Sequence, residues 1–315
     1  MKNIFYKKAL SETVDILRPK SIIKKRKIHF LIKPVIKIAN KKIIVIENYP
    51  QLPNGEAFIF AAGHSFPDEI AANLAVIDRH TYVLVGTKDQ VINNPAMAIL
   101  WLNGMVYVEK LDKQSRRDSF QRMKKVLQNG SSVMLFPEGV LNNTENKLCN
   151  DVYPGFYHLA IETGKKVVPI VSQTYNDSKI IRFNSGEPTD ISCFTKEEAR
   201  LWLKDTIASL RYNLIIKEPS TNRESLVGDI HLKYMEERKN TYSEVHWTED
   251  VFDVELQGYY DENNPTPQSV RASFDKVIIT PENAKIFSEI LVRREEDKKY
   301  DFKTYMHENW NKSAN

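Results

Sequence analysis

The chain has 315 residues, of which 42% are apolar, and a formal net charge of +4. This length and composition suit one large globular domain or two modest ones. No stretch approaches the ~18 consecutive apolar residues of a transmembrane helix, and the N-terminus lacks the apolar core and cleavage site of a secretory signal. Two cysteines are too few for a disulfide framework or a cysteine-based metal site. We therefore expect a cytoplasmic protein.

The positive charge is concentrated at the N-terminus. Residues 1–42 contain 13 Lys or Arg and 2 Asp or Glu, a net charge of +11, so residues 43–315 carry a net charge of −7. In "KIHFLIKPVIKIANKK", which starts at Lys27, apolar residues follow a helical stripe that Pro34 would kink. Such a segment binds phosphate, on an anionic bilayer or on nucleic acid. We assign residues 1–50 to a basic amphipathic membrane-docking segment; the alternatives are a solvated face and a stripe that packs on the main domain.

The chain from residue 43 to about 215 alternates between strand and helix patterns. Helix patterns are marked by Ile70, Leu74 and Ile77, by Phe120, Met123 and Val126, and by residues 155–164. Seven short apolar runs have the character of buried strands: 42–47, 57–62, 82–87, 105–108, 132–136, 167–172 and 179–183. The alternation predicts an α/β fold, with a mixed, largely parallel sheet flanked by helices.

A single histidine follows the predicted strand 57–62. His64 lies in the loop between this strand and a helix that Pro67 can begin, and such loops form sites in α/β sheets. Asp68 and Glu69 follow, about 100° apart around the helix, so only one of them is expected to face the imidazole. A carboxylate on one ring nitrogen orients the imidazole and makes it a better base. Acidic residues in a first helical turn can also simply stabilise the helix dipole.

The side chains near this histidine offer no protein nucleophile. Ser65 is adjacent, but the Gly-x-Ser-x-Gly elbow of serine hydrolases does not surround it, and no cysteine lies nearby in the sequence. A base at this position is therefore expected to take its proton from a hydroxyl of the substrate.

Four blocks of sequence follow one another in a recognisable order. "GHSFPDEI" (63–70) precedes "GMVYVEK" (104–110), "VMLFPEG" (133–139) and "VVPIV" (167–171). This order resembles the glycerolipid acyltransferase family, typified by lysophosphatidic acid acyltransferases. The motifs of that family are His-x-x-x-x-Asp, Gly-x-x-Phe-(Ile/Val)-x-Arg, Phe-Pro-Glu-Gly-Thr-Arg and an apolar run around a proline. The resemblance covers roughly residues 55–175.

The resemblance implies roles for individual residues. His64 matches the catalytic base, and Glu69 holds the acidic position by count, with Asp68 as the alternative. Glu138 is expected to accept hydrogen bonds from the acceptor's polyol, and the N–H groups around Glu138 and Gly139 are candidate oxyanion donors. The substrate-binding positions carried over from the family are Gly104, Tyr107, Lys110, Phe136, Pro137, Glu138 and Gly139.

Two departures from the family concern the acceptor's phosphate. Val140 and Leu141 replace the Thr and Arg that end the third motif, and in the family that Arg helps to hold the phosphate. Lys110 stands where the second motif has an acceptor-binding Arg, so it keeps the charge but loses the planar, bidentate fork. Either nearby basic residues compensate, or the acceptor is not a plain glycerol phosphate. The candidates for compensation are Lys88, Lys113, Arg116 and Arg117.

The resemblance implies an O-acyltransferase of phospholipid biosynthesis. It would move a fatty acyl group from acyl-CoA or acyl-acyl carrier protein (acyl-ACP) to a hydroxyl of a lysophospholipid-type acceptor, with no cofactor and no metal. Residues 51–215 would form the acyltransferase domain, and residues 216–315 a C-terminal extension of unknown role. The implied partners are an anionic membrane surface on the inner face of the cell membrane, the acyl thioester and the lysolipid acceptor.

Three other functions remain open on the sequence. One is a membrane-surface binding protein with a decayed acyltransferase site, and another is an acyltransferase for an acceptor without phosphate. A nucleic-acid binder is disfavoured, because no recognition motif and no interleaving of aromatic and basic residues occurs.

Overall fold

The computed structural model describes residues 17–39, 42–66, 69–86, 96–110, 112–142, 148–174 and 179–217. These ranges contain six α-helices and seven β-strands. In chain order the elements are α1 (Pro19–Ala39), β1 (Ile43–Ile46), β2 (Ile59–Ala62), α2 (Glu69–Val76), β3 (Thr81–Gly86), α3 (Ala96–Asn103), β4 (Met105–Val108), α4 (Lys113–Gln128), β5 (Ser132–Leu135), α5 (Gly155–Thr163), β6 (Val167–Thr174), β7 (Ile180–Ser185) and α6 (Lys196–Ile215).

The strands form one sheet in the order β1-β7-β6-β2-β5-β3-β4. Every pairing is parallel except that between β6 and β7. Five adjacent strands, β6, β2, β5, β3 and β4, therefore point the same way, and their carboxyl ends form one boundary of the sheet, called here the C-terminal edge. The predicted mixed, largely parallel sheet is confirmed. Strands β2, β4 and β5 are buried at every position, which explains their uninterrupted apolar runs.

Helices cover both faces of the sheet. On one face α4, α5 and α6 contribute buried side chains, including Val126, Phe156 and Leu203, to a common cluster with β2, β5 and β6. On the other face α2, α3 and the second half of α1 do the same, through side chains such as Leu74 and Leu100. The result is a three-layer α/β/α arrangement in which the sheet is shielded from water on both sides.

The predicted elements agree with the structure in type and place, with two omissions. All seven predicted strands are present, each within two residues of its predicted ends. The predicted N-terminal helical stripe lies on α1, and the three helix patterns predicted after residue 43 are α2, α4 and α5. Helix α3 was not predicted, because "AMAILWLN" is apolar on all sides and shows no helical periodicity. Helix α6 was also missed, although Thr195 and Glu198 form a capping box at its start, a signal that the sequence contains.

Helix α1 crosses the sheet at the boundary opposite the C-terminal edge. The Lys33 ammonium donates to the Ile77 carbonyl oxygen (2.7 Å), and the His29 ring lies 2.6 Å from the Asn103 side-chain oxygen. The Arg26 guanidinium donates to the Gly130 carbonyl oxygen (3.4 Å). These partners immediately precede β3, β4 and β5, so α1 lies across the amino ends of the parallel strands.

The packing of α1 divides the apolar stripe of the predicted docking segment, residues 1–50. Ile22, Ile32 and Ile36 are buried against the rest of the protein, so part of the stripe packs on the main domain, whereas Leu31 and Val35 are 68% and 48% exposed. The membrane-docking role of this segment stays a prediction. Residues 1–16 lie outside the described part of the chain. The predicted C-terminal extension also lies outside it, apart from residues 216 and 217. Among the helices that the structure describes, none combines the length and the apolar character needed to cross a bilayer.

Two buried histidines, His29 on α1 and His80 beneath it, pack together with their ring centroids 5.3 Å apart. His80 lies 2.6 Å through Nε2 from the Asn103 carbonyl oxygen and 2.9 Å through Nδ1 from the Ser131 hydroxyl. The carbonyl oxygen only accepts, so Nε2 carries the proton and Nδ1 accepts from the hydroxyl. Burial lowers the pKa of His80 to about 4 and also lowers the pKa of the neighbouring His29.

Candidate active site

His64 lies two residues beyond β2, at the C-terminal edge of the sheet. The neighbouring strand β5 ends at the same edge, and the segment that follows it, residues 136–142, is adjacent to the histidine. In open α/β sheets, the loops at the carboxyl ends of the strands form the ligand sites. The structure therefore brings the first and third sequence blocks together at one place.

Glu69 holds the imidazole of His64. Its Oε1 contacts His64 Nδ1, and its Oε2 accepts the Ser65 N–H at 2.8 Å. The carboxylate is fully buried, at 0% exposure, whereas the imidazole is 19% exposed. Because a carboxylate oxygen accepts, Nδ1 carries the proton, and Nε2 is the nitrogen with a lone pair to offer a substrate.

The geometry selects between the two predicted carboxylates as the partner of His64. Glu69 is the first residue of α2, so its side chain points back toward the loop that carries the histidine. Asp68, the alternative, lies outside the described residues. The contact between Glu69 and the imidazole is therefore established by the structure, and its catalytic role stays a prediction.

Phe136 shields one face of the imidazole. The two ring centroids are 4.4 Å apart and the ring planes are inclined by 31°. An aromatic ring at this distance restricts the rotation of the imidazole and keeps water off that face. Phe136 therefore limits the approach of a substrate to the other side of the histidine ring.

The segment after β5 fixes the backbone of His64 on both sides. The His64 N–H donates to Glu138 Oε1 at 2.8 Å, and the Asn142 N–H donates to the His64 carbonyl oxygen at 2.7 Å. The sequence reasoning did not single out Asn142, because a backbone contact leaves no trace in residue type. These two bonds make the third block a support for the histidine.

Glu138, which the resemblance predicts to bind the acceptor's polyol, is surrounded by protein donors, and its contact with the acceptor stays a prediction. Its carboxylate has no exposed surface. Oε1 accepts from the His64 N–H and from the Arg211 guanidinium (3.3 Å), and Oε2 accepts the Asn150 N–H at 2.7 Å. Both oxygens therefore accept hydrogen bonds from protein donors, and Glu138 holds the backbone of His64 in place from the buried side of the site.

The turn formed by Phe136, Pro137, Glu138 and Gly139 is closed by its own hydrogen bond. The Gly139 N–H, one of the candidate oxyanion donors, donates instead to the Phe136 carbonyl oxygen at 3.0 Å. Gly139 has φ +73°, and a Cβ there would lie 2.7 Å from the Tyr153 ring. The Pro137 carbonyl oxygen accepts the Tyr153 N–H at 2.8 Å. Glycine is required at this position by both conformation and space.

The second block spans the sheet, so its two ends lie at opposite edges. Gly104 precedes β4, has φ +142° and packs against Tyr82, where a Cβ would lie 2.8 Å from the ring. Gly104 thus serves packing at the amino end of the strand, at the edge opposite His64, and its substrate-binding role stays a prediction. Tyr107 is nearly buried, and its hydroxyl donates to the Glu109 carboxylate at 2.9 Å.

Lys110 lies at the C-terminal edge. Its side chain runs over Gly86 at the end of β3, where a Cβ would lie 2.8 Å from Lys110 Cε. The chain beyond Lys110 enters α4, whose first turn carries Lys113, Arg116 and Arg117 as exposed side chains. The predicted cationic residues near the second block are thus brought to the same edge as His64. Lys88 lies outside the described residues.

Leu141, which stands at the family's Arg position, has no exposed surface. It packs inside the protein, and the next residue, Asn142, bonds to the His64 backbone. The departure from the family motif is therefore a change from a polar to a buried apolar side chain. No group of three or more His, Cys, Asp or Glu side chains arranged for a metal ion occurs in the described ranges.

Comparisons with known proteins agree with this geometry. An acyltransferase family model matches residues 43–173. The 1-acyl-sn-glycerol-3-phosphate acyltransferase alpha of Ovis aries is 26% identical over 141 residues, and its Homo sapiens counterpart is 25% identical over 142 residues. The matched segment contains His64, Glu69, Glu138 and Lys110.

The fold described above has a counterpart among solved structures. The 1-acyl-sn-glycerophosphate acyltransferase PlsC from Thermotoga maritima superposes with a TM-score of 0.51 at 19% identity, covering 63% of this chain and 83% of that protein. The matches to the sheep and human proteins cover 42% and 43% of this chain and 47% and 48% of theirs. The chain thus spans about half the length of these curated relatives.

Proposed function

We propose that this protein is an O-acyltransferase that moves a fatty acyl group from an acyl thioester to a hydroxyl of a lysophospholipid-type acceptor, with His64 as general base. The contact between His64 Nδ1 and the buried Glu69 carboxylate carries this proposal. It leaves Nε2 with its lone pair at the C-terminal edge, in an acyltransferase-family domain. A base in this state removes a proton from a hydroxyl and needs no nucleophile on the protein.

The reaction follows from this arrangement. His64 Nε2 accepts the proton of the acceptor hydroxyl as the oxygen attacks the thioester carbonyl, and Glu69 stabilises the imidazolium that forms. When the tetrahedral intermediate collapses, the carbon–sulfur bond breaks and the imidazolium returns the proton to the leaving thiolate. The products are an ester and a free thiol. General-base assistance of this kind contributes about 10²–10⁴-fold to the rate.

The tetrahedral intermediate carries an oxyanion that needs a fixed donor. The hydrogen bond that closes the turn uses the Gly139 N–H and not that of Glu138, so we assign the Glu138 N–H to this task. The buried carboxylate of the same residue anchors the turn to the His64 backbone. A donor positioned in this way is worth about 10²–10³-fold in kcat.

The cations at the C-terminal edge support an acceptor that carries phosphate. Lys110 approaches the end of β3, and one strand, β5, separates β3 from β2. With neighbouring strands ~4.8 Å apart, the Lys110 side chain is placed ~10 Å from the line of β2, which carries His64. A lysophospholipid with its phosphate near Lys110 can thus direct a glycerol hydroxyl toward Nε2. Arg116 and Arg117 add positive charge at the same edge.

The acyl donor is acyl-CoA or acyl-ACP. Both carry the same thioester on a phosphopantetheine arm, and both are anionic, so the exposed cations of α4 suit either one.

Measuring acyl transfer to lysophosphatidic acid from both donors tests the function. We expect turnover by the wild-type protein and a loss of at least about 100-fold in His64→Ala, with an unchanged unfolding temperature. His158→Ala is the matched control, because His158 is exposed on α5, away from the site. Turnover near the wild-type level in His64→Ala would contradict the mechanism. Failure of the wild-type protein with every donor and acceptor would contradict the function.

We further propose that the outer face of α1 docks on an anionic bilayer. The first half of this face carries Lys20, Lys24 and Lys27, and the second half carries apolar side chains. Phe30 is 81% exposed and Leu31 is 68% exposed. Each lysine near an anionic surface contributes about 1 kcal/mol, and the apolar side chains insert at the interface.

Point substitutions test this docking, because deleting α1 would also remove core side chains. The double variant Phe30→Ser, Leu31→Ser should bind phosphatidylglycerol-containing vesicles at least about 10-fold more weakly than wild type, and higher salt should weaken both proteins. Leu201→Ser is the control, since Leu201 is 62% exposed but lies on α6. Equal vesicle binding by the wild-type protein and the double variant would place the membrane contact elsewhere.

A further inference from the structure

Arg211 reaches the candidate active site from α6, beyond the residues that match the acyltransferase family. Its side chain is 4% exposed. One terminal nitrogen lies 3.3 Å from Glu138 Oε1, and the other donates to the Leu148 carbonyl oxygen. The guanidinium therefore connects α6 both to the turn after β5 and to the segment that starts at residue 148.

The same guanidinium lies against the backbone next to His64. A Cβ on Gly63 would be 2.7 Å from the Arg211 nitrogen that faces Glu138. Because Gly63 has no side chain, the Arg211 guanidinium can pack directly against the backbone at this position. The guanidinium, the peptide before His64 and the Glu138 carboxylate are packed together without an intervening layer.

Glu138 depends on Arg211 for its charge. The carboxylate has no exposed surface, and its other two donors, the N–H groups of His64 and Asn150, are neutral. Removing one partner of a buried ion pair leaves an uncompensated charge, which is far more costly than the loss of a surface contact. The carboxylate would then shift its position or attract a compensating positive charge. Because the His64 N–H is hydrogen-bonded to this carboxylate, either change would disturb the backbone of His64.

We propose that Arg211 is a positioning residue for acyl transfer, because it neutralises Glu138 and thereby fixes the backbone of His64. This inference rests on the proposed function of the site. It extends the catalytic unit past the family-matched segment to α6. Glu138 transmits the effect, and Arg211 itself touches no reacting atom.

The proposal makes a specific electrostatic prediction. Without Arg211, the anionic Glu138 lies next to His64 and stabilises its imidazolium form. The other charged groups around this cluster in the described residues are Glu69, on the imidazole itself, and the ion pair of Asp151 with Lys204, which balances its own charge. None of these groups changes when Arg211 is replaced, so a shift in the titration of His64 reports on Glu138.

Three variants separate positioning from general stability. Arg211→Met removes the charge and keeps a long side chain. Arg211→Met with Glu138→Gln removes both charges, and Gln still accepts the His64 N–H. Leu203→Ala is the matched control, because Leu203 is fully buried on α6 but contacts neither Glu138 nor His64 through any hydrogen bond or ion pair in the described residues. Arg211→Lys, which keeps the charge, serves if Arg211→Met does not fold.

Two readouts are measured on each folded variant: acyl transfer to lysophosphatidic acid against pH, and the titration of the His64 imidazole by ¹H–¹⁵N NMR, with the resonance assigned by its loss in His64→Gln. We expect kcat of Arg211→Met to fall about 10–100-fold with KM changed less than about threefold. The acid limb of the pH–rate profile and the NMR midpoint should both move to higher pH. The double variant should return the midpoint to the wild-type position, and Arg211→Lys should stay close to wild type.

A midpoint in Arg211→Met equal to that of wild type would overturn the proposal, and so would an equal shift in Leu203→Ala. The NMR titration needs no turnover. If the wild-type protein transfers no acyl group, the proposed function fails, while the midpoint still decides whether Arg211 acts on His64 through Glu138.

Discussion

Acidification should destabilise the fold through His80, at the boundary of the sheet opposite the active site. Its pKa is lowered from 6.5 to about 4 by burial, while the unfolded chain titrates near 6.5. Between these two pKa values the unfolded state binds a proton at His80 that the folded state does not bind. The contribution of neutral His80 to the free energy of unfolding is therefore complete above pH 6.5 and is lost as the pH falls toward 4.

The magnitude follows from the difference in pKa. With 1.36 kcal/mol per pKa unit, His80 alone lowers the free energy of unfolding by about 2 kcal/mol between pH 7 and pH 5, and by roughly 3 kcal/mol in total below pH 4. His29 acts in the same direction, because burial lowers its pKa as well. A loss of this size is a substantial part of the stability of an ordinary domain.

Urea unfolding at pH 7 and pH 5, followed by tryptophan fluorescence, measures the effect. His80→Gln should be less stable than wild type at pH 7, since the bond to Ser131 is lost, but should lose about 2 kcal/mol less on acidification. His158→Gln is the control, because an exposed histidine should leave the pH dependence unchanged. Equal losses in wild type and His80→Gln would refute the assignment of the acid sensitivity to His80.

Three further predictions concern the active site. Glu69→Gln should lower kcat at least about 10-fold, because both Glu69 oxygens accept hydrogen bonds, from His64 and Ser65, and an amide offers only one accepting oxygen. A pH–rate profile of the variant equal to that of wild type would contradict this. Lys110→Ala should raise KM for lysophosphatidic acid about 10–150-fold and leave KM for a phosphate-free acylglycerol unchanged, as steady-state kinetics with both acceptors will show. Leu141→Arg should lower the thermal midpoint of unfolding sharply, since it places an unpaired guanidinium where no surface is exposed, and a midpoint equal to that of wild type would contradict the burial of this position.

The strands could be predicted from the sequence because each is specified locally. A strand buried on both faces needs only a short apolar run, and β2, β4 and β5 are such runs. Their order in the sheet could not be derived from the same signal, because neighbours are chosen by contacts between distant parts of the chain. The clearest example is β7, which lies between β1 and β6 and runs parallel to β1 but antiparallel to β6.

The same distinction between local and long-range contacts applies to the candidate active site. The pairing of His64 with Glu69 spans five positions and was predictable from helix geometry. The ion pair of Glu138 with Arg211 spans 73 positions and has no local signature, so the burial of Glu138 was missed. The distance of Gly104 from His64 could not be predicted for a different reason. A motif match gives sequence position, and a four-residue strand is long enough to place the two ends of one motif at opposite edges.

The family match ends at residue 173, but the hydrogen-bonded sheet continues beyond this residue. Strand β1, inside the match, is bonded to β7, which lies beyond it, and β7 in turn covers the edge of β6. A fragment cut at residue 173 would lose the hydrogen-bonding partner of β1, open a long strand edge to self-association and remove α6 from one face of the core. The segment that homology recognises is thus smaller than the sheet to which it belongs, and expression of residues 43–173 alone should give aggregated material.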